Sequence, residues 1–193
     1  MCLLLGLAII VIISQIFLSR TDSKAPIEHD HIPYQSKYEE LRRNTITSFS
    51  QELTIVKNEL VLSNLDRILL DTLLDKSFKL IFRFGESSCN PCIQRELQNI
   101  SNLEKSIPKN KIIVIASYDD ERKAMILLNN YNIESRLICL SPSSKITSLE
   151  SDAIDPCLFL LNKDLKMNNV FFSLQEDAGL SIEYYQNILR LLQ

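Results

Sequence analysis

Residues 84–97 read FGESSCNPCIQREL, and two cysteines, Cys89 and Cys92, stand where a short apolar run gives way to a helical pattern. The run that leads into them, FKLIFRF at 78–84, is typical of a strand. After Cys89, apolar residues recur on one face of a helix, at Ile93, Leu97, Ile100 and Leu103. A pair in this place is a redox-active dithiol, half of a metal site or a bridge that only stabilises the fold.

The position of the pair at the start of a helix favours redox chemistry. The unpaired N–H groups and the positive dipole end of the helix stabilise a thiolate at Cys89. A disulfide to Cys92 closes so short a loop that it removes little entropy from the unfolded chain, so a purely stabilising role is weak. Pro91 suits the first helical turn, where its missing N–H leaves no hydrogen bond unmade. We expect Cys89 to be the exposed nucleophile and Cys92 the sheltered thiol that resolves a mixed disulfide.

A metal site at the pair is the weaker alternative. One Cys-x-x-Cys supplies two ligands where zinc takes four, and neither Cys139 nor Cys157 belongs to a second such pair. His29 and His31 are the only histidines, and they are expected to be solvated within a polar segment. The sequence therefore predicts no metal and no other cofactor.

The composition is that of a globular chain with room for one ordinary domain and an appendage. Of 193 residues, 46% are hydrophobic and 23% are charged, which excludes wholesale disorder. The net charge is −3 and the basic residues are scattered, which argues against nucleic acid as a partner. Five cysteines are too few for a disulfide scaffold, and an odd number leaves at least one thiol free or paired elsewhere.

The N-terminal part predicts a membrane anchor and a linker. Residues 1–19 carry no charge and are almost entirely apolar, and no small-residue cleavage site follows them, so an uncleaved transmembrane anchor is expected. Residues 20–33 are polar, contain two prolines and read as a linker. Arg20 and Lys24 follow the anchor and nothing basic precedes it, which by the positive-inside rule favours a domain in the cytoplasm.

Residues 34–77 predict an amphipathic helical region. Apolar residues recur at three- and four-residue steps, or sums of them, at Tyr34, Tyr38, Leu41, Phe49, Leu53, Val56 and Leu60. Such a stripe either packs on the domain that follows or pairs with a second copy of the chain. A second helical stretch is expected at 65–74.

Residues 78–193 predict one α/β domain with a mixed sheet. Beyond the first strand and the helix from Cys89, the expected elements are strands at 111–117, 136–140, 156–161 and 168–174 and helices at 120–131 and 181–192. The order βαβα(β)ββα is typical of an α/β sandwich.

The strand LIFRFGESS, the pair C-N-P-C at 89–92 and Pro156 at the head of a later strand together resemble the thioredoxin-like superfamily. Within it, the chain resembles the membrane-anchored thiol-disulfide oxidoreductases of bacterial envelopes, of the TlpA and ResA groups. The resemblance covers 78–193 and implies a thioredoxin-like α/β/α sandwich. It also implies a catalytic domain outside the cytoplasm, in the periplasm, which is opposite to the charge pattern around the anchor.

The resemblance implies a site in three parts. The catalytic pair is Cys89 and Cys92. A cis Pro156 lies against the pair, and the backbone of Asp155 offers hydrogen bonds to a substrate peptide. The active-site turn comprises Ser88, Asn90 and Pro91.

The implied function is exchange of disulfides with protein substrates, in the reducing direction and with another thiol protein as electron donor. A second hypothesis is a thioredoxin-fold binding module with little or no redox turnover. Three departures from the family pattern support this alternative: Ser88 replaces an aromatic residue, Arg83 replaces a buried acid, and Asp155 replaces an apolar residue or threonine. The Asp155 carboxylate either opposes thiolate formation at Cys89 or points to solvent.

Two further cysteines lie in predicted strands. Cys139 and Cys157 are expected to be small buried hydrophobic residues. For Cys157, which follows Pro156, the alternative is an additional thiol close to the redox pair.

Overall fold

The computed structural model describes residues 39, 41–43, 45–46, 48–49, 51–148, 150, 154–175 and 178–193. The anchor predicted at 1–19, the linker at 20–33 and the two histidines lie outside the described residues. Within the described ranges, no helix has both the length and the apolar composition that crossing a membrane requires.

The described elements form a mixed sheet, a small hairpin and three continuously described helices, besides the helical residues between 39 and 51. The strands are β1 (Glu59–Val61), β2 (Arg67–Leu69), β3 (Lys79–Gly85), β4 (Ile112–Ser117), β5 (Arg136–Leu140), β6 (Cys157–Leu161) and β7 (Met167–Phe172). The helices are α1 (Asn90–Leu103), α2 (Glu121–Asn130) and α3 (Ala178–Leu192). Strands β3 to β7 and all three helices correspond to predicted elements, and α3 begins three residues earlier than expected.

The five-stranded sheet has the spatial order β5-β4-β3-β6-β7. Strands β3, β4 and β5 are parallel, and β6 is antiparallel to both of its neighbours, β3 and β7. Every residue of β3 and β4 is buried, which is why both appear in the sequence as nearly continuous apolar runs. The mixed sheet with flanking helices agrees with the predicted thioredoxin-like α/β class.

All three helices contribute to one hydrophobic cluster on one face of the sheet. The crossovers β3-α1-β4 and β4-α2-β5 step in the same direction along the sheet, and right-handed crossovers of that kind place both helices on the same side. The described chain covers the other face with Val56, Leu60, Leu70 and Ile146, which pack on Ile81, Ile113 and Phe159. A second helical layer is absent from the part of the chain that the structure describes, so the expected α/β/α layering is not reproduced there.

The helical prediction for 34–77 is wrong from residue 52 onward, and so is the second helix expected at 65–74. The described residues from 39 to 51 are helical, but Glu59–Val61 and Arg67–Leu69 pair as an antiparallel hairpin, and Leu70–Leu73 is a short 3-10 helix. The hairpin strands have three residues each, which is too short for an alternating pattern to stand out from helical spacing. Burial of Leu60 and Leu70 against the sheet decides the local structure instead.

Candidate active site

The cysteine pair lies at the edge of the sheet where β3 ends and α1 begins. Cys89 and Cys92 are joined in a disulfide, with their Cα atoms 5.3 Å apart. Cys92 is only 2% exposed, whereas Cys89 is partly exposed. The two sulfurs therefore differ in access to a partner molecule, as sequential attack and resolution require.

The start of α1 is arranged around the Cys89 sulfur. Cys89 is the N-cap residue, and its Sγ lies 3.4 Å from the backbone N of Cys92, which donates a hydrogen bond to it. Pro91 occupies the first turn, and Pro91 and its neighbour Asn90 are both exposed. A thiolate at Cys89 in the reduced protein would receive the same N–H and the positive end of the helix dipole, both of which lower a thiol pKa.

Ser88 links the turn before the pair to a distant segment of the chain. Its hydroxyl accepts a hydrogen bond from the backbone N of Gly85 at 2.7 Å and donates one to the carbonyl of Ile154, which is 66 residues away. The backbone N of Ser88 also donates to the Gly85 carbonyl at 3.1 Å. Ser88 is thus a hydrogen-bonding bridge between the end of β3 and Ile154.

The segment 154–156 contacts the turn that precedes the pair, through Ser88, and differs from the family expectation. No peptide bond among the described residues is cis, so the expected cis bond before Pro156 is wrong for this structure. The trans form is the more stable one for an X-Pro bond, and here the Pro156 carbonyl accepts a hydrogen bond from the backbone N of Ser173 at 2.9 Å. The chain enters β6 directly after this residue.

Asp155 is exposed between two buried residues, Ile154 and Pro156. Neither its backbone N–H nor its carbonyl has a hydrogen-bond partner among the described residues. Of the two placements considered for its carboxylate, the solvent-exposed one is found. Free backbone groups at this point are what an extended peptide would need for pairing.

Arg83, where many thioredoxins have a buried acid, is completely buried and paired. Its Nε lies 2.8 Å from the Glu150 carboxylate, and its other nitrogens donate to the carbonyls of Phe84 and Ser144 at 3.0 and 3.2 Å. The second Glu150 oxygen accepts the backbone N–H of Ile146 at 2.7 Å. The ion pair thus fixes the connection between β5 and β6 to the central strand.

A second buried hydrogen-bond network is centred on Glu96, which lies in α1 one turn after Cys92. The fully buried Glu96 carboxylate accepts hydrogen bonds from the hydroxyls of Ser173 and Ser181, both at 2.6 Å, and lies 3.3 Å from the Arg95 guanidinium. Since Ser173 also bonds to the Pro156 carbonyl, this network connects α1 to the segment 154–156.

Sequence reasoning missed Ile154, Glu96 and Ser173. Glu96 carried a signal, because it lies four residues after Cys92 on the buried side of α1, where an acid needs polar partners. Ile154 and Ser173 carried none, since their roles come from contacts with residues far away in the sequence.

The two remaining described cysteines are buried thiols. Burial raises the pKa of Cys157 to about 12, with the nearby Glu150 carboxylate adding to the effect. Burial also raises the pKa of Cys139, whose Sγ lies 3.9 Å from the Tyr118 carbonyl. Both thiols are protonated near neutral pH, which favours the interpretation of small hydrophobic residues over an additional nucleophile.

Metal-ligating side chains do not gather in the part of the chain that the structure describes: no group of three or more histidine, cysteine, aspartate or glutamate residues is close enough to hold an ion.

Comparison with solved structures finds several chains that are similar to this one at low sequence identity. No protein-family model and no curated protein matches it. Peroxidoxin BcpB from Mycobacterium tuberculosis matches at 13% identity, covering 74% of this chain and 99% of that one, with a TM-score of 0.48. A DsbF homologue from Corynebacterium diphtheriae matches at 12% identity over 69% of this chain and 85% of that one, with a TM-score of 0.47.

A thiol:disulfide interchange protein of the thioredoxin family from Chlorobium tepidum TLS also matches, at 12% identity over 72% of this chain and 97% of that one, with a TM-score of 0.47. Similarity at this level assigns no activity to this chain, whose chemistry rests on the site itself.

Proposed function

We propose that this chain is a thiol-disulfide oxidoreductase that reduces disulfides in protein substrates through Cys89 and Cys92. The observation that carries the proposal is the unequal exposure of two bonded cysteines at the N-terminus of a helix. Ser88, Asn90 and Pro91 form the turn that presents the pair. A purely structural disulfide would gain little from closing so short a loop.

The chemistry is two successive thiol-disulfide exchanges. The Cys89 thiolate attacks one sulfur of a substrate disulfide, forms a mixed disulfide and releases the other substrate sulfur as a thiolate. Cys92 then loses its proton and attacks the Cys89 sulfur, which releases the second substrate thiolate and leaves the Cys89–Cys92 disulfide. Two electrons pass to the substrate, and a dithiol protein must return them to the pair.

The substrate side of the site is the segment 154–156. The unpaired backbone of the exposed Asp155 pairs with an extended piece of the substrate next to its disulfide, and Pro156, which is buried beside it, is the second residue assigned to this part of the site. The assignment of Asp155 and Pro156 to substrate binding comes from the resemblance of the sequence to the TlpA and ResA groups. The same resemblance places the domain outside the cytoplasm, held to the membrane by a single N-terminal span at 1–19.

A redox titration of the full chain tests the proposal. The protein is equilibrated in glutathione buffers of graded potential, and the state of the pair is measured by alkylation and mass shift. We expect a reversible two-electron transition at a low potential, about −270 mV as in thioredoxin. Cys92→Ser abolishes the transition and traps a mixed disulfide at Cys89 when a disulfide-bonded protein is added, whereas the control Cys139→Ser behaves as wild type.

Two results contradict the proposal. A pair that stays reduced at every potential, with the fold intact, points to a binding module. Stoichiometric zinc binding that is lost in Cys92→Ser points to a metal site.

A further inference from the structure

Segment 154–156 is held from two sides. From one side, the Ser88 hydroxyl donates to the Ile154 carbonyl, and from the other the Ser173 backbone N donates to the Pro156 carbonyl. Between these two contacts lies Asp155, which is exposed and whose backbone has no partner among the described residues. Residues 85–88, which lead into Cys89, form the cysteine turn, and among the described hydrogen bonds only that of the Ser88 side chain joins segment 154–156 directly to it.

The contact between the turn and the segment is also tight. A Cβ atom added to Gly85 would lie 3.3 Å from both the Cβ and the Cδ1 of Ile154, which is closer than ordinary van der Waals contact. The Gly85 N–H is bound by the same Ser88 hydroxyl that reaches Ile154. The Ser88 hydroxyl therefore bonds both to the N–H of Gly85, the last residue of β3, and to the carbonyl of Ile154. Ser88 also directly precedes Cys89.

We propose that Ser88 is a positioning residue that fixes segment 154–156 to the cysteine turn, so that the Cys89 sulfur and the free backbone of Asp155 meet one extended substrate segment. The inference rests on the proposed function. It predicts that Ser88 matters more for a disulfide carried on a polypeptide than for a small disulfide that has no peptide groups.

The kinetic test compares two substrates. The rate of mixed-disulfide formation is measured for a disulfide-bonded peptide and for 4,4′-dithiodipyridine, with the full chain reduced beforehand. We expect Ser88→Ala to lower the ratio of peptide rate to dithiodipyridine rate about tenfold, mainly through a higher KM for the peptide, because one side of the segment loses its hydrogen bond. Ser88→Thr, which keeps the hydroxyl, restores the ratio.

The matched control is Ser87→Ala, the same change at the exposed neighbouring residue, which leaves the ratio as in wild type. Gly85→Ala places a methyl group 3.3 Å from Ile154 and lowers the ratio as well. An unchanged ratio in Ser88→Ala, or an equal change in Ser87→Ala, overturns the inference.

A second readout does not depend on activity. The Ser173 amide reports on the segment from the side opposite Ser88, so its hydrogen exchange is expected to accelerate in Ser88→Ala and not in Ser87→Ala. If the wild-type pair reacts with neither disulfide, the proposed function fails, and the Ser173 amide alone decides this inference. Equal exchange in the two variants overturns it.

Discussion

The environment of each sulfur separates the cysteines of this chain into two kinds. Cys89 lies at a helix N-terminus and is partly exposed, which are conditions that favour a thiolate. Cys157 lies only one residue beyond Pro156, yet it is buried among apolar side chains and near the Glu150 carboxylate, so its pKa rises to about 12. Proximity to the redox pair along the chain therefore does not make Cys157 reactive.

The raised pKa of Cys157 predicts a pH dependence of stability. Above its usual value of 9.0 the unfolded chain loses the Cys157 proton, while the folded chain keeps it up to about 12. The unfolded state then binds fewer protons, so the free energy of unfolding falls as pH rises, by roughly 1.4 kcal/mol per pH unit within that window. Below pH 9 this contribution is fully present.

Urea unfolding of the oxidised protein at several pH values between 8 and 10.5 measures the effect. Cys157→Ala is less stable at every pH because it leaves a cavity, but its stability declines less steeply above pH 9 than that of wild type. Parallel curves for the two proteins would show that Cys157 ionises as readily in the folded chain as in the unfolded one.

At the scale of elements, a buried ion pair anchors the connection between β5 and β6 to the sheet. Arg83 in the central strand bonds to Glu150 and to the Ser144 carbonyl, and Glu150 also holds the Ile146 backbone. A buried guanidinium without its partner is costly, since the desolvation of the cation is no longer offset. The ion pair thus joins two parts of the chain. Arg83 belongs to β3, which precedes the cysteines, and Glu150 belongs to the connection that precedes segment 154–156.

Glu150→Gln removes the charge and keeps the size of the side chain. We expect it to lower the free energy of unfolding by about 3 kcal/mol, because Arg83 remains buried and loses its counter-charge. The matched control is Glu134→Gln, which breaks the exposed pair with Lys109 and changes stability by about 0.5 kcal/mol or less. Chemical denaturation measures both, and similar values for the two variants would mean that the buried pair adds nothing beyond a surface contact.

At the scale of the molecule, the two faces of the sheet are buried by different kinds of structure. One face packs on amphipathic helices, and the other packs on the segment that contains the hairpin. Leu70 is fully buried in the second cluster together with Ile81 and Phe159, whereas its neighbour Leu69 is 48% exposed. The chain before β3 therefore contributes to the same hydrophobic core as the sheet.

Two adjacent leucines test this contribution. Leu70→Ala is expected to cost about 2–5 kcal/mol of unfolding free energy, the usual range for a buried leucine. Leu69→Ala is expected to change it by about 0.5 kcal/mol or less, because its side chain is half exposed. The two values come from urea unfolding, and a small effect at Leu70 would show that the hairpin segment is not part of the cooperative core.

The sequence by itself determined the sheet, the helices and the place of the cysteine pair. Buried parallel strands such as β3 and β4 need continuous apolar runs, and helices on the sheet need one apolar face, so both leave local patterns. Cys89 falls at the junction of two such patterns, which made the place of the cysteine pair at the start of a helix predictable.

The tertiary structure alone decided how the site is held together. Ser88 meets Ile154, Arg83 meets Glu150, and Glu96 meets Ser173 across 66, 67 and 77 residues of chain. The hairpin at 59–69 was likewise set by the burial of Leu60 and Leu70 against the sheet. Hydrogen bonds and ion pairs between distant residues leave no periodic trace in a sequence, because any polar residue suits solvent equally well until the fold brings its partner within reach.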